Sequence, residues 1–418
     1  MNFSEKSGQL MVRKPNALFV TYATPLTSSL EIGVDRVFSI GNVLPFYNWN
    51  VNVLTPSFPM WTLQNESEEF HPSENCTYWQ MEEPEPKKPL LSPLQQSFSY
   101  NFRSKLATVF GKNDVYDSIK PFLKDSILRI CQEQQIDVIV APIPPPSMAI
   151  SIYEIAKELQ IPYIVDYANS WGISEVFFSK YQRSKVESKE YQLLLEAERI
   201  LVSTRAMKEH LLQKYDFLTH EDVHIVSNGI TSIDHKVRYP KKRISIVVSK
   251  KTENSFKTIV RYCQTYLSQK DSLACQFCFV GTLSAKHQIY LAKKLKPEQA
   301  HYEETTSKDV IRSILRNSIA SWITIQDARF IPQELFWSIE SNCPIILSST
   351  PTGIASLRSI ITSSAIISID LSRDAFIKTV SSLLYSEPLA FEAEEVSQID
   401  WNEIGREYSR LLGMSSKL

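Results

Sequence analysis

The stretch IPYIVDYANSW, residues 161–171, decides how the chain is read. Its first half, Pro162 to Val165, is a short apolar run rich in β-branched residues. Such runs form strands buried on both faces of a parallel sheet. The second half turns polar at Asp166, Asn169 and Ser170, and then reaches Trp171 and Gly172. In an open α/β sheet, ligands collect beyond the carboxyl ends of the strands. Asp166 therefore stands one step past a buried strand, where chemistry is done. The same residue type at the same place also caps helices and makes turns. Local sequence leaves both roles open.

Working outward, Ala17–Tyr22 reads as the first strand, and a polar loop from Ala23 leads into a helix opened by GVDRVF at 33–38. Strand, loop and helix begin a βαβ unit. A loop at a helix amino end can hold an anion or simply connect. Further strands are expected at 49–56, 137–141, 162–165, 200–203 and 223–226, alternating with helices at 116–134, 149–159, 185–198 and 207–212. After the sharp turn Asn228-Gly229 the alternation repeats. Strands are expected at 244–248, 276–280, 320–325, 344–347 and 365–369, and helices at 255–267, 285–294, 308–314, 332–339, 354–360 and 375–384. Two βαβ series joined near residue 230 imply an α/β protein of two facing, Rossmann-like doubly wound domains with a cleft between them. The expected domains are 1–230 and 231–385, with a partly helical tail at 386–418 crossing back to the first. Residues 57–113 carry Pro59, Pro72, Pro84, Pro86, Pro89 and Pro93 and read as an irregular insertion.

Composition narrows the function classes. At 418 residues the chain exceeds one ordinary core. A net charge of -1 gives no global field to recruit nucleic acid or an anionic membrane. Only 10 glycines are available for phosphate-cradling loops. No apolar run approaches the roughly 18 residues of a membrane span. The amino terminus lacks a signal-peptide core, and the six cysteines are scattered, so a reduced, cytoplasmic protein is expected. Cys275 and Cys278 form a CxxC, but in a strand they would face opposite sides, which suits neither a metal nor a disulfide. No zinc spacing, Walker loop or Ser-His-Asp context is present, so no metal site and no cofactor are expected. His210, His220, His224 and His235 cluster near the turn and read as structural histidines. Trp171, Phe177 and Phe178 beside Lys180, Arg183 and Lys185 suit either a buried aromatic patch or a peripheral membrane contact.

With these segments in place, the chain resembles the GT-B glycosyltransferases, in particular family 4. The resemblance rests on GVDRV (33–37), WNVNVLTP (49–56), KELQIPYIVDYANSW (157–171), ILVSTRAMKEHLLQKY (200–215), IVSNGI (225–230) and FIPQELFWSIESNCPIIL (330–347) followed by TPTG. It implies transfer of a sugar from a nucleotide-sugar in the second domain to a glycan or lipid-linked acceptor in the first. It also implies metal independence, with helix amino ends and basic side chains stabilising the leaving diphosphate.

Carried over, Gly33 and Arg36 belong to the amino-terminal loop and helix, and Asp166 to the acidic acceptor motif, where it orients the acceptor hydroxyl or acts as base. Asn169 and Trp171 stand on the acceptor side, and Asn228 and Gly229 at the hinge. Glu334 and Leu335 fall on the donor helix, Thr352 and Gly353 on the diphosphate loop after it, and Lys250 and Lys251 after the second domain's first strand. The donor side diverges. Trp337 stands where a glutamate holds the ribose, Glu334 where a lysine is common, and Asn169 where a second aspartate is usual. Two other functions fit the same fold: a catalytically degenerate partner subunit or scaffold, and a sugar-nucleotide epimerase. Polysaccharide or glycoconjugate synthesis, at the inner face of a membrane where the acceptor is lipid-linked, is the process expected.

Overall fold

The computed structural model describes residues 13–21, 32–56, 74–81, 120–143, 146–168, 180–235, 240–248, 253–269 and 275–414. The first sheet is built from β1 (Asn16–Val20), β2 (Asn50–Pro56), β3 (Cys76–Met81), β4 (Val138–Ile143), β5 (Tyr163–Tyr167), β6 (Arg199–Val202) and β7 (Val223–Ile225). Its order is β3-β2-β1-β4-β5-β6-β7, and every pairing is parallel. The second sheet is built from β8 (Lys241–Val248), β9 (Gln276–Gly281), β10 (Ala300–Glu304), β11 (Ser318–Ile325), β12 (Ile345–Ser349) and β13 (Ile366–Ile369). Its order is β10-β9-β8-β11-β12-β13, again all parallel. The strand order reverses between β1 and β4 in one sheet and between β8 and β11 in the other. These are the topological switch points where α/β sheets open a crevice.

The first domain's helices are α1 (Ile32–Val43), α2 (Lys120–Glu133), α3 (Pro146–Leu159), α4 (Lys180–Leu195) and α5 (Arg205–Lys214). The second domain follows with α6 (Glu253–Leu267), α7 (Ala285–Lys294), α8 (Lys308–Arg316), α9 (Gln333–Glu340), α10 (Pro351–Arg358) and α11 (Arg373–Leu383). The tail adds a short α12 (Ala393–Val396) and α13 (Trp401–Gly413). Central strands are apolar and fully buried, as β1 and β4 show. The outermost strands β3 and β10 instead alternate half-buried and exposed positions. β3 lies inside the proline-rich stretch that reads as irregular.

The tail helix α13 belongs to the first domain's core. Trp401, Ile404, Tyr408, Leu411 and Leu412 form one helical stripe packed with Phe19, Val37, Ile40 and Val53. Burying five such side chains is worth on the order of 10 kcal/mol, as an upper bound. Gly405 lets this helix approach α1 closely, because a Cβ there would lie 3.2 Å from Val43 Cβ and 3.3 Å from Tyr47 Cε2. The two connections between the sheets are stitched together where they meet. Ile230 N donates to Ile399 O at 2.8 Å, and Trp401 N donates to Ile230 O at 3.1 Å.

Candidate interdomain site

Strand alternation dictates what Asp166 meets. Tyr163, Val165 and Tyr167 point into one core layer and Ile164 into the other, so Asp166 shares the face covered by α1 and α13. There Arg36 Nε donates to both of its carboxylate oxygens, at 3.0 and 2.8 Å, and Tyr408 OH donates to Oδ2 at 3.1 Å. The side chains of Arg36 and Asp166 are 1% and 4% exposed. Arg36 Nη1 continues to Ser227 O at 2.8 Å and to Asn228 Oδ1 at 3.2 Å. Burial and the adjacent Asp166 charge push the Tyr408 phenol far above its ordinary range. The acceptor motif and the hinge turn, separate in sequence, are thus one buried cluster. As built, Asp166 is closed to an acceptor hydroxyl. In this arrangement it joins β5, α1, α13 and the first interdomain connection.

The opposite face of β5 is fastened in the same manner. Tyr167 OH donates to Glu190 Oε1 at 2.7 Å, and Lys214 Nζ and Tyr215 OH donate to Oε2, each at 2.7 Å. Burial first, and then the Glu190 carboxylate, raise both phenols. A buried carboxylate carrying one ammonium and two hydroxyls satisfies the rule that buried charge is kept only when paired and hydrogen-bonded.

At the second sheet's switch point the loop leaving β11 reaches across to the first domain. Thr204 Oγ1 donates to Arg329 O at 2.9 Å, and Phe330 packs against the first domain's core. Arg329 Nη2 and Nε bind Asp327 at 2.7 and 3.0 Å, and Arg329 Nη1 lies 3.4 Å from His210 Nε2. Burial opposes ionisation of Asp327, yet the Arg329 guanidinium and backbone outweigh it and hold the carboxyl below its ordinary range. Asp327 and Arg329 escaped the sequence reading. The signal for them was local, a D-x-R triplet just past an apolar strand.

The other expected residues separate into three groups. Asn169, Trp171, Lys250 and Lys251 lie outside the described residues. Leu335 is fully buried in the second domain's core beside Phe336 and Ile339, so its side chain is a packing residue, not a donor contact. Trp337 is 2% exposed and packs with Val247, Val280, Ile311, Leu315 and Cys343. Glu334 is half-buried in the first turn of α9. Gly33 lies in the first turn of α1. Thr352 and Gly353 are not on a loop. Thr350 caps α10 by accepting from Gly353 N at 3.2 Å and Pro351 occupies its first position, so the helix starts before Thr352. Gly353 sits there because a Cβ would run into Ser349 Oγ, whose hydroxyl donates to Ile325 O at 2.8 Å. Among the described residues no cluster of His, Cys, Asp and Glu has a metal-holding arrangement. Cys275 and Cys278 are both free and buried, and burial pushes the Cys275 thiol up to about 12. No helix among the described residues is long and apolar enough to cross a membrane.

No protein-family model matches the chain, and no curated protein matches it. Solved structures do. Staphylococcus aureus TarM, in complex with fondaparinux, alpha-GlcNAc-glycerol and UDP, superposes with a TM-score of 0.65 at 7% identity, covering 95% of this chain and 99% of that one. Sucrose-phosphate synthase from Thermosynechococcus elongatus gives 0.60 at 12% identity over 95% and 94%. A UDP-N-acetylglucosamine 2-epimerase from Listeria monocytogenes gives 0.55 at 10% identity over 94% and 95%. At such identities the likeness is one of fold: two parallel-sheet α/β domains in the GT-B arrangement, matched end to end.

Proposed function

We propose that this chain is a glycosyltransferase that takes a sugar from a nucleotide-sugar held by the second domain and delivers it, without a metal, to a glycan or glycoconjugate acceptor at the first. The observation that supports this best is the end-to-end match, with coverage of both chains, to GT-B enzymes. Function sits at a site rather than in a fold, so the roles are argued from the residues. The donor diphosphate faces the switch point between β8 and β11. There the amino end of α10, with Thr352 exposed on its first turn, offers partial positive charge. Arg329 supplies a full positive charge on the cleft-crossing loop, oriented by Asp327. Asp166 and Arg36 act indirectly, by fixing the wall of the acceptor side and the start of the hinge.

The test is calorimetry and thermal denaturation of the full chain against UDP-, GDP-, ADP-, CMP- and dTDP-sugars without metal, followed by assay of donor turnover with candidate acceptors. A ligand that binds only the folded state stabilises it by RT ln(1 + [L]/Kd), about 2.7 kcal/mol at 100 times Kd. Stabilisation by one nucleotide class, with release of the nucleoside diphosphate, or of CMP from a CMP-sugar, supports the reading. Epimerised sugar in place of transferred sugar favours the epimerase class. Well-folded protein that binds none of these nucleotides overturns the reading in favour of a non-catalytic partner subunit.

A further inference from the structure

The second domain carries a cationic flank unrelated to the cleft. Lys257 and Arg261 lie one turn apart on α6, Lys286, Lys293 and Lys294 lie on α7, and Lys296 follows it; all six are exposed. Helix α7 contains no acidic residue, and α6 contains only Glu253, its first residue. Among the described residues, the ion pair these cations make is a long one, Lys296 Nζ to Glu298 Oε1 at 4.0 Å. In a chain whose net charge is -1, this is a local excess of one sign.

A groove of about 280 Å³ opens between the carboxyl ends of the two helices, walled by Lys293, Lys294 and Lys296, with Gln264 and Ser268 opposite and Leu267 alongside. Lysines in a last helical turn often only balance the helix dipole. Two helix ends supply roughly one negative charge in total, so the groove's three lysines leave a surplus. Ile289, 57% exposed, stands between Lys286 and Lys293 on the same face of α7. An exposed aliphatic side chain among lysines gives this face a cation for lipid phosphates and one apolar group for the interface. A nucleic-acid face would present arginines and stacking aromatics instead.

We infer that this flank docks the protein on an anionic phospholipid bilayer, with a headgroup phosphate in the groove and Ile289 in the interface. The inference uses a face remote from the interdomain site and does not rest on the glycosyl-transfer reading.

Flotation of the full chain with vesicles of phosphatidylcholine, with and without phosphatidylglycerol, tests it. Binding to the mixed vesicles alone, weakened by salt, is expected. Each lysine near the surface is worth about a fivefold gain in affinity, so K286Q/K293Q/K294Q loses roughly a hundredfold while keeping the parent melting temperature. Ile289→Ser weakens binding without changing the salt dependence. The inference is overturned by equal binding of both vesicle types or of neither, by full binding of the triple variant, or by tighter binding of a single-stranded RNA than of the mixed vesicles. Displacement from mixed vesicles by an equal phosphate concentration of free glycerol phosphate also overturns it, since the groove would then serve a soluble anion.

Discussion

Replacing Asp166 with asparagine separates a pin from a base. The side chain keeps its shape but loses its charge, and its amide nitrogen meets Arg36 Nε donor to donor. Arg36 is 1% exposed and finds its charge partner in Asp166. Removing one partner of a buried ion pair costs about 3–5 kcal/mol, because the other charge stays buried and uncompensated. The Tyr408 hydroxyl loses a charged acceptor at 3.1 Å, a bond of the class worth about 1.5–3 kcal/mol. These overlap, so a total near 4 kcal/mol is expected, a large share of the 5–15 kcal/mol that stabilises an ordinary domain. Urea unfolding followed by tryptophan fluorescence reads the loss as a lower midpoint at unchanged slope. The double variant R36M/D166L removes both charges together and recovers part of the loss, the remainder being the bonds that Tyr408 OH, Ser227 O and Asn228 Oδ1 lose. A catalytic base gives the opposite pattern, with turnover collapsing in a protein of parental stability. A loss below about 1 kcal/mol for Asp166→Asn refutes the buried pin.

Three other perturbations follow from single contacts. Gly353→Ala forces Ser349 Oγ off Ile325 O and costs about 1 kcal/mol, and Ser349→Ala in the same chain restores most of it in a double-mutant cycle. Thr204→Val removes both the hydroxyl bond to Arg329 O and the cap on Met207 N, so α5 weakens by about 1 kcal/mol and residues 326–332 exchange amide protons faster, whereas Thr204→Ser keeps the protection. Burial, then Arg199, Lys208 and Arg410, hold His224 below its ordinary value of 6.5. The unfolded chain therefore takes up the proton first as pH falls, so this group's stabilisation is present above 6.5 and is lost as pH drops towards the folded value. His224→Gln flattens the melting temperature over that window.

The sequence shows the central strands and the edge strands β7 and β13, and hides the other two edges, β3 and β10. Strands such as β4 and β5 are buried along their whole length and read as unbroken apolar runs. The edge strands β3 and β10 have only one neighbour each, and CTYWQM and AHYEE carry the mixed, half-exposed pattern of an edge. In β3 the surrounding prolines masked the signal as well. Strand β8 starts at Lys241, before its apolar run, because Lys241, Lys242 and Arg243 extend it beyond the core. Helix α10 was misplaced for a different reason. Thr350 caps it and Pro351 opens it, so it begins before the expected 354.

The site was legible residue by residue and illegible as an arrangement. Asp166, Arg36 and Asn228 each stand out in the sequence, yet Arg36 reaches Asp166 across 130 residues and Asn228 across 192. Tyr408, 242 residues from Asp166, lies in a tail whose only pattern is an amphipathic stripe. Periodicity assigns a residue to a strand end; it carries no information on which charge will be buried against it. That missing fact reverses the chemistry. A carboxylate past a strand end is a base only while its oxygens face the crevice, and a guanidinium with a phenol turns the same group into a fastening. Both faces of β5 are closed in this way, one by Arg36 and Tyr408 and the other through Glu190. Among the described residues, Arg329 at the β8 and β11 switch point touches the first domain through His210 and Thr204, with Asp327 paired to it.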